Sequence, residues 1–216
     1  MKFIHQSYEI LTPFSRNIVL ENLEKFARVC HKSEDKINST SAPSFIHKLV
    51  KLGHDSVLEH EKVTVKFITD LGVTHELVRH RLASYLQQST RYCDSSDMEV
   101  VIPSWWSESN GTSESNGISE SNGISGAGEN AKKIWMETMK NIEQTYKDLL
   151  DCGWTKDQAR SILPKSLKTD IVVTANLREW KHILKLRTSK YAHEQIRSLL
   201  LPLQEKFQAE LPEIFN

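Results

Sequence analysis

The sequence predicts an α+β domain, on three observations. Helical periodicity recurs along the chain while strand-like alternation is rare. The few strands do not alternate strictly with helices, as a doubly wound sheet would require. At 216 residues the chain can bury one sizeable core, or at most two small ones, and we expect a single domain over 1–216.

Asn17 to His31 has helical spacing, with Ile18, Leu23, Phe26 and Val29 as its apolar positions. A second helix is expected in "SAPSFIHKLVKLGH", begun by Ser41 and Pro43 and stopped at Gly53. "EKVTVKFIT" sets Val63, Val65 and Phe67 against Thr64, Lys66 and Ile68, the clearest strand alternation in the chain. Thr74 is expected to cap a helix carrying Leu77, Val78 and Leu82. Beyond residue 130, Ala131 to Leu150 reads as an amphipathic helix and "TKDQARSIL" as a short one ended by Pro164. "SLKTDIVVTANL" reads as a strand and turn, and "LREWKHILKL" and "AHEQIRSLLLPLQEKF" as helices.

Between these halves, residues 107–130 carry the hexamer S-E-S-N-G-T/I three times in succession. Five of the eight glycines fall there and almost nothing can be buried, so the tract is expected to be a solvated loop insertion. Asn110-Gly-Thr112 matches a glycosylation sequon, a weak signal without a secretion signal beside it.

Lys+Arg equals Asp+Glu at 28 each, so no global basic field draws the chain to nucleic acid or an anionic membrane. Charge is uneven, however: Gln158 to Arg197 holds nine Lys/Arg against three Asp/Glu, which implies a local cationic surface. Cys30, Cys93 and Cys152 are too few and too scattered for a disulfide framework or a zinc site. With no signal-like or membrane-spanning run, the expected location is cytoplasmic.

P-loop, Rossmann and G-x-S-x-G patterns are absent. "HELVRH" is not a zinc-protease motif, because five residues separate the histidines by about 140° on a helix. Three polar constellations remain. In "RHRLASYLQQSTRY" (79–92), a single helix would bury Val78, Leu82, Tyr85 and Leu86 and gather His80, Ser84, Gln87 and Arg91 opposite, with a break before Ser89. "GHDSVLEH" places Gly53, His54, Glu59 and His60 at a helix-to-strand junction. In "TANLREWKHILKLR", Arg178 and His182 share a helical face, flanked by Asn176 and Arg187. Each alone reads first as ordinary structure: a solvated basic helix, a turn, or a helix with Trp180, Ile183 and Leu184 inward. Together, arginine forks suited to phosphate and amides suited to base edges imply a nucleotide or a nucleotide-containing cofactor.

Arg79-His80-Arg81, seven residues and then Ser89 form the R-H-R-x7-S signature of the flavin-dependent thymidylate synthases, continuing into Arg91-Tyr92. "ARVCHKSE" (27–34), "GHDSVLEH" (53–60), "ARSILP" (159–164) and "TANLREWKHILKLRTSKYAHEQIR" (174–197) sit in that family's order, so the chain resembles it over nearly its whole length except the repeat. The resemblance implies the family's own fold, an antiparallel sheet with flanking helices, in a homotetramer whose active sites are shared between subunits. It implies reductive methylation of dUMP to dTMP with bound FAD, methylenetetrahydrofolate as carbon donor and NADPH as reductant; no metal is implied.

Carried over by position, Arg79, His80 and Arg81 resemble flavin-contacting groups, with Arg81 facing the pyrophosphate. Asn176, Arg178 and His182 resemble the second flavin cluster, and His54 the group near the isoalloxazine. Glu76, Gln87, Ser89, Arg91, Arg160 and Arg187 match substrate-binding positions, with Arg91 on the phosphate and Arg160 and Arg187 on the uracil edge. Arg187, Ser89 and His54 are the expected catalytic groups, Ser89 orienting substrate rather than attacking it. Cys30 stands where many members have a flavin-contacting serine, and Gln87 where some have glutamate; His182 fills a position taken elsewhere by asparagine or histidine. Two other readings compete: a flavin enzyme methylating a base in RNA, disfavoured by the near-zero charge, and a nucleotide-binding module without catalysis, disfavoured by the full set of motif residues.

Overall fold

Period-2 alternation and helical stripes both find their places in the computed structural model, which describes residues 1–12, 15–106 and 125–216. The strands are β1 (Lys2–Ile4), β2 (Ser7–Ile10), β3 (Lys62–Asp70), β4 (Ala83–Gln87), β5 (Glu99–Val101) and β6 (Lys168–Asn176). The first four helices are α1 (Arg16–Val29), α2 (Ser41–Lys51), α3 (Leu71–Leu77) and α4 (Ser125–Asp151). They are followed by α5 (Lys156–Ala159), α6 (Leu177–Arg187), α7 (Glu194–Glu210) and α8 (Pro212–Phe215). The chain divides into two compact units: Gln6–Gln88 with Thr169–Asn216, and Met1–His5 with Ser89–Lys168.

The larger unit is built on a four-stranded sheet in the order β2-β3-β6-β4. Its β2–β3 and β4–β6 pairs are antiparallel, with Tyr8 opposite Phe67 and Tyr85 opposite Val173. On β3, Val63, Val65 and Phe67 are buried, as the alternation predicts, and on β6 Ile171, Val173 and Ala175 do the same. Helices α6 and α7 complete this core: Phe67, Trp180 and Phe207 meet ring to ring, and Trp180 Nε1 donates to Val63 O at 3.0 Å, so the buried indole keeps its hydrogen bond. Gly53, at φ 75°, turns the chain out of the α2 terminus in the left-handed region that favours glycine. The smaller unit contains the parallel pair β1–β5 and helices α4 and α5; α5 opens with a capping box between Thr155 and Gln158.

Four expectations are corrected. Helix α1 buries Val19, Leu20 and Leu23, whereas Ile18, Phe26 and Val29 are exposed; the stripe is rotated because Glu24 and Arg28 turn inward as a buried ion pair of 2.6 Å, with Ser41 Oγ donating to Glu24 at 2.8 Å. Thr74 lies inside α3 with its hydroxyl on Leu71 O; the cap is Asp70, whose carboxylate accepts from Val73 N at 2.7 Å, an arrangement worth about 1 kcal/mol. Val78 and Leu82 are exposed beyond the end of that helix. The stretch 79–92 is no helix: a turn leads into β4, because backbone pairing with β6 outcompetes the local helical pattern. Helix α4 starts at Ser125, ahead of the expected Ala131. The repeat at 107–124, with the Asn110 sequon, lies outside the described residues. Among the described residues, no helix is long and apolar enough to cross a membrane, and the three cysteines are free.

Candidate active site

In the larger unit, the turn after α3 and the helix α6 bring together residues far apart in sequence. Tyr85 on β4 fixes that turn: its hydroxyl lies 2.8 Å from Leu77 O and 2.7 Å from His80 O, sharing one proton between them. Burial pushes the Tyr85 hydroxyl up to about 12, so it remains a donor across the ordinary pH range. The turn thereby holds His80 inward, while Arg79 and Arg81 on either side point to solvent. Neither flanking guanidinium has a hydrogen bond or ion pair among the described residues, so both are available to an anion.

Arg187, at the last position of α6, reaches the same turn. Its Nη1 donates to Glu76 Oε2 at 2.7 Å, its Nη2 to Glu76 O at 3.0 Å and its Nε to His80 Nε2 at 3.0 Å. Three bonds from one planar fork fix the guanidinium in place. His80 is lowered to about 4, by burial first and then by the Arg187 and His182 charges, so it is neutral at physiological pH. Its Nδ1 stands 3.7 Å from Glu179 Oε1, whose own acidity burial weakens; this is a contact between a neutral ring and a carboxylate, and no ion pair. His182 completes the cluster, its ring edge-on to His80 at 5.7 Å.

Helix α6 begins directly at the end of β6, and Asn176 caps it by accepting from Glu179 N at 2.8 Å. Arg178 pairs with Glu59 and Lys181 with Asp55 at 3.2 Å, which ties α6 to the three-ten turn Asp55–His60. Asn176, Arg178, Glu179 and His182 line a cavity of about 560 Å³. A second cavity, of about 240 Å³, is bounded by Phe26, Phe45, Cys30, His54 and His60. Its mixture of aromatic walls and imidazoles suits a flat heterocycle. Gln87 on β4 extends its amide toward the Thr74 and Thr169 hydroxyls, at 3.3 and 3.4 Å.

The remaining three expected residues belong to the smaller unit. Ser89 Oγ accepts from Arg91 N at 3.3 Å, a local turn that leaves the hydroxyl proton free to rotate. Arg91 and Arg160 both aim their Nε at Asp157 Oδ1, at 3.0 and 3.1 Å. One carboxylate oxygen thus gathers two guanidiniums, as a phosphate oxygen would.

The resemblance sets Glu76 and Arg187 on the substrate and His80 on the flavin; the structure joins all three in one hydrogen-bonded network. Arg178 and His182 line one cavity, as their shared helical face leads one to expect. Sequence reasoning missed Glu179, hidden between Arg178 and Trp180 as an ordinary helical glutamate. It also missed Asp157, for which the i, i+3 spacing to Arg160 was a usable signal.

The family model for thymidylate synthase complementing protein matches residues 19–213. A flavin-dependent thymidylate synthase of Mycobacteroides abscessus is 33% identical over 203 residues, covering 90% of this chain and 78% of that protein. The same-named enzyme of Mycobacterium tuberculosis strain H37Rv is 32% identical over 202 residues, covering 89% and 77%, and that of Mycolicibacterium gilvum 32% over 203, covering 90% and 78%. This chain therefore belongs to the thymidylate synthase complementing protein family, a family of flavin-dependent thymidylate synthases.

Proposed function

We propose that this chain converts dUMP to dTMP with FAD as its flavin, methylenetetrahydrofolate as carbon donor and NADPH as reductant, in a cytoplasmic homotetramer with active sites shared between subunits. Membership of the family makes it a flavin-dependent enzyme of dTMP synthesis; the finer assignments are our reading. The observation that carries it is the continuous polar network Glu76–Arg187–His80. It joins two groups assigned to the substrate with one assigned to the flavin.

The residues fit a flavin dinucleotide. Arg79 and Arg81 are exposed and unpaired among the described residues, as phosphate ligands should be before binding. Asn176, Arg178 and His182 open on a cavity large enough for part of such a molecule, and Cys30 and His54 share an aromatic-walled one. The flavin, when bound, supplies the hydride and methylene-transfer chemistry. The protein's own part is to position, polarise and exclude water. Arg187, held by Glu76 and His80, presents a fixed cation to the uracil edge and stabilises negative charge as the ring is activated. Arg91 takes the dUMP phosphate, Arg160 the uracil edge, and Gln87 and Ser89 orient the nucleotide.

A visible absorption spectrum of the purified chain, repeated anaerobically with NADPH and dUMP, tests this reading. A flavin spectrum that bleaches faster with dUMP present, with dTMP recovered once methylenetetrahydrofolate is added, is the expected result. A chain that stays colourless after FAD is supplied overturns it.

A further inference from the structure

Glu179 is nine-tenths buried, and its carboxylate makes no hydrogen bond among the described residues. It lines the cavity of about 560 Å³, and an acceptor turned into the site with no donor of its own requires a reason. Its base is rigid: the Glu179 N–H is held by the Asn176 cap in the first turn of α6.

The reason lies in the tautomer of His80. Arg187 donates its Nε–H to His80 Nε2 at 3.0 Å, and a guanidinium has no acceptor to offer in return. Nε2 therefore carries the lone pair, and a neutral His80 must carry its proton on Nδ1. That proton faces Glu179 Oε1, 3.7 Å from Nδ1. The separation exceeds a formed hydrogen bond, yet such bonds are often long in ligand-free sites and tighten when substrate is bound. Donor atoms of His80, Glu179 and His182 lie within 4.8 Å of one another, a spacing that resembles a cation site. With Arg187 on Nε2, however, the Nδ1 position is filled by its own proton, and hydrogen bonding to the carboxylate is the consistent chemistry.

We propose that Glu179 is a positioning residue for the reaction: it accepts the Nδ1–H of His80, fixes that tautomer, and so keeps the Nε2 lone pair on Arg187. Glu76 holds one side of the Arg187 fork and the Glu179–His80 pair holds the other. Loss of Glu179 lets the imidazole take the other tautomer, whose Nε2–H faces the guanidinium, and Arg187 is released from one of its supports. The proposal rests on the reading that Arg187 acts on the substrate base.

The test compares Glu179→Ala and Glu179→Gln in the full chain. Histidine-selective ¹⁵N NMR reports the His80 tautomer without needing turnover, so it is independent of whether the proposed reaction is correct. The expected result is an Nδ1–H imidazole in the parent chain that is lost or mixed in Glu179→Ala and retained in Glu179→Gln, which keeps an acceptor oxygen. Turnover should fall by ~10–100-fold in Glu179→Ala, by analogy with the loss of a carboxylate that orients a metal-ligating histidine. The Gln variant should recover most of it, with flavin content and the KM for dUMP little changed. An unaltered tautomer in a folded Glu179→Ala chain overturns the proposal. So does loss of bound flavin in both variants, which would make Glu179 a direct ligand-binding group.

Discussion

Arg187 and the pair Arg91 and Arg160 are all assigned to the same nucleotide, yet the protein holds them in opposite ways. The Arg187 side chain is 19% exposed and locked by three hydrogen bonds to Glu76 and His80. Arg91 and Arg160 are 53% and 41% exposed and share one oxygen of Asp157 at the surface. A cation in the first setting is preorganised and poorly screened, and its partners depend on it for their own satisfaction. In the second setting water and salt can replace the carboxylate at little cost. On the proposed assignments the locked setting falls to Arg187 at the uracil edge and the exchangeable one to Arg91 at the phosphate, with Arg160 sharing the exchangeable setting although it too is proposed for the uracil edge.

The largest effect should come from Arg187→Ala. Turnover should fall by roughly 10²–10³-fold, as when a preorganised donor to a developing anion is removed. Because Glu76 and His80 lose their donor together, urea unfolding should also show a loss of about 1–3 kcal/mol. Arg187→Lys should not restore activity, since an ammonium cannot span Glu76 and His80 with one planar fork. Full activity in the lysine variant would remove the distinction drawn between the two settings.

Arg91→Ala comes next, and its cost should be confined to binding. Losing a charged hydrogen bond to phosphate should weaken dUMP by about 10–150-fold, measured by calorimetry, while flavin stays bound. Stability should change by less than about 0.5 kcal/mol, as at other exposed positions. Unchanged dUMP affinity would refute the phosphate assignment.

A smaller effect should appear in stability against pH. His80 is lowered from 6.5 to about 4, mainly by burial. A group whose folded value lies below its unfolded one binds fewer protons when folded, so its contribution is complete above 6.5 and is lost as pH falls from 6.5 toward 4. Asp70 and Glu179, both raised by burial, act in the opposite sense as carboxylates. The comparison must therefore be between the parent chain and His80→Gln. The parent should lose more stability across that interval; parallel curves would mean that His80 is not held neutral.

These two settings were not equally legible in the sequence. The buried one could be read in part, because Trp180, Ile183 and Leu184 fixed which face of α6 turns inward and so aligned Arg178 with His182. What the pattern could not supply was the fold of residues 79–92. Their local periodicity favours a helix, and only the distant β6, pairing Tyr85 with Val173, draws Ala83–Gln87 into a strand. Pairing across that distance in sequence leaves no local signal. Glu179 was illegible for a related reason: its burial comes from the turn at His80, which packs beside it only after folding. The stripe of α1 was misread because Glu24 and Arg28 neutralise each other inside, and a periodicity count scores both as surface.

Asp157→Asn should have the smallest effect, and its sign is the informative part. In the ligand-free chain Asp157 occupies both guanidiniums, so on the proposed assignment a dUMP phosphate reaching Arg91 must displace it. Exposed pairs of this kind are each worth about 0–1 kcal/mol. Removing the charge should therefore raise dUMP affinity by no more than about 5-fold, with a stability change below about 1 kcal/mol. The gain should shrink at high salt, where the competing carboxylate is already screened. If Asp157→Asn instead weakens dUMP, the carboxylate is aiming the two arginines rather than occupying them. The surface pair would then be preorganised in the same sense as Arg187, with solvent exposure the only remaining difference between the two.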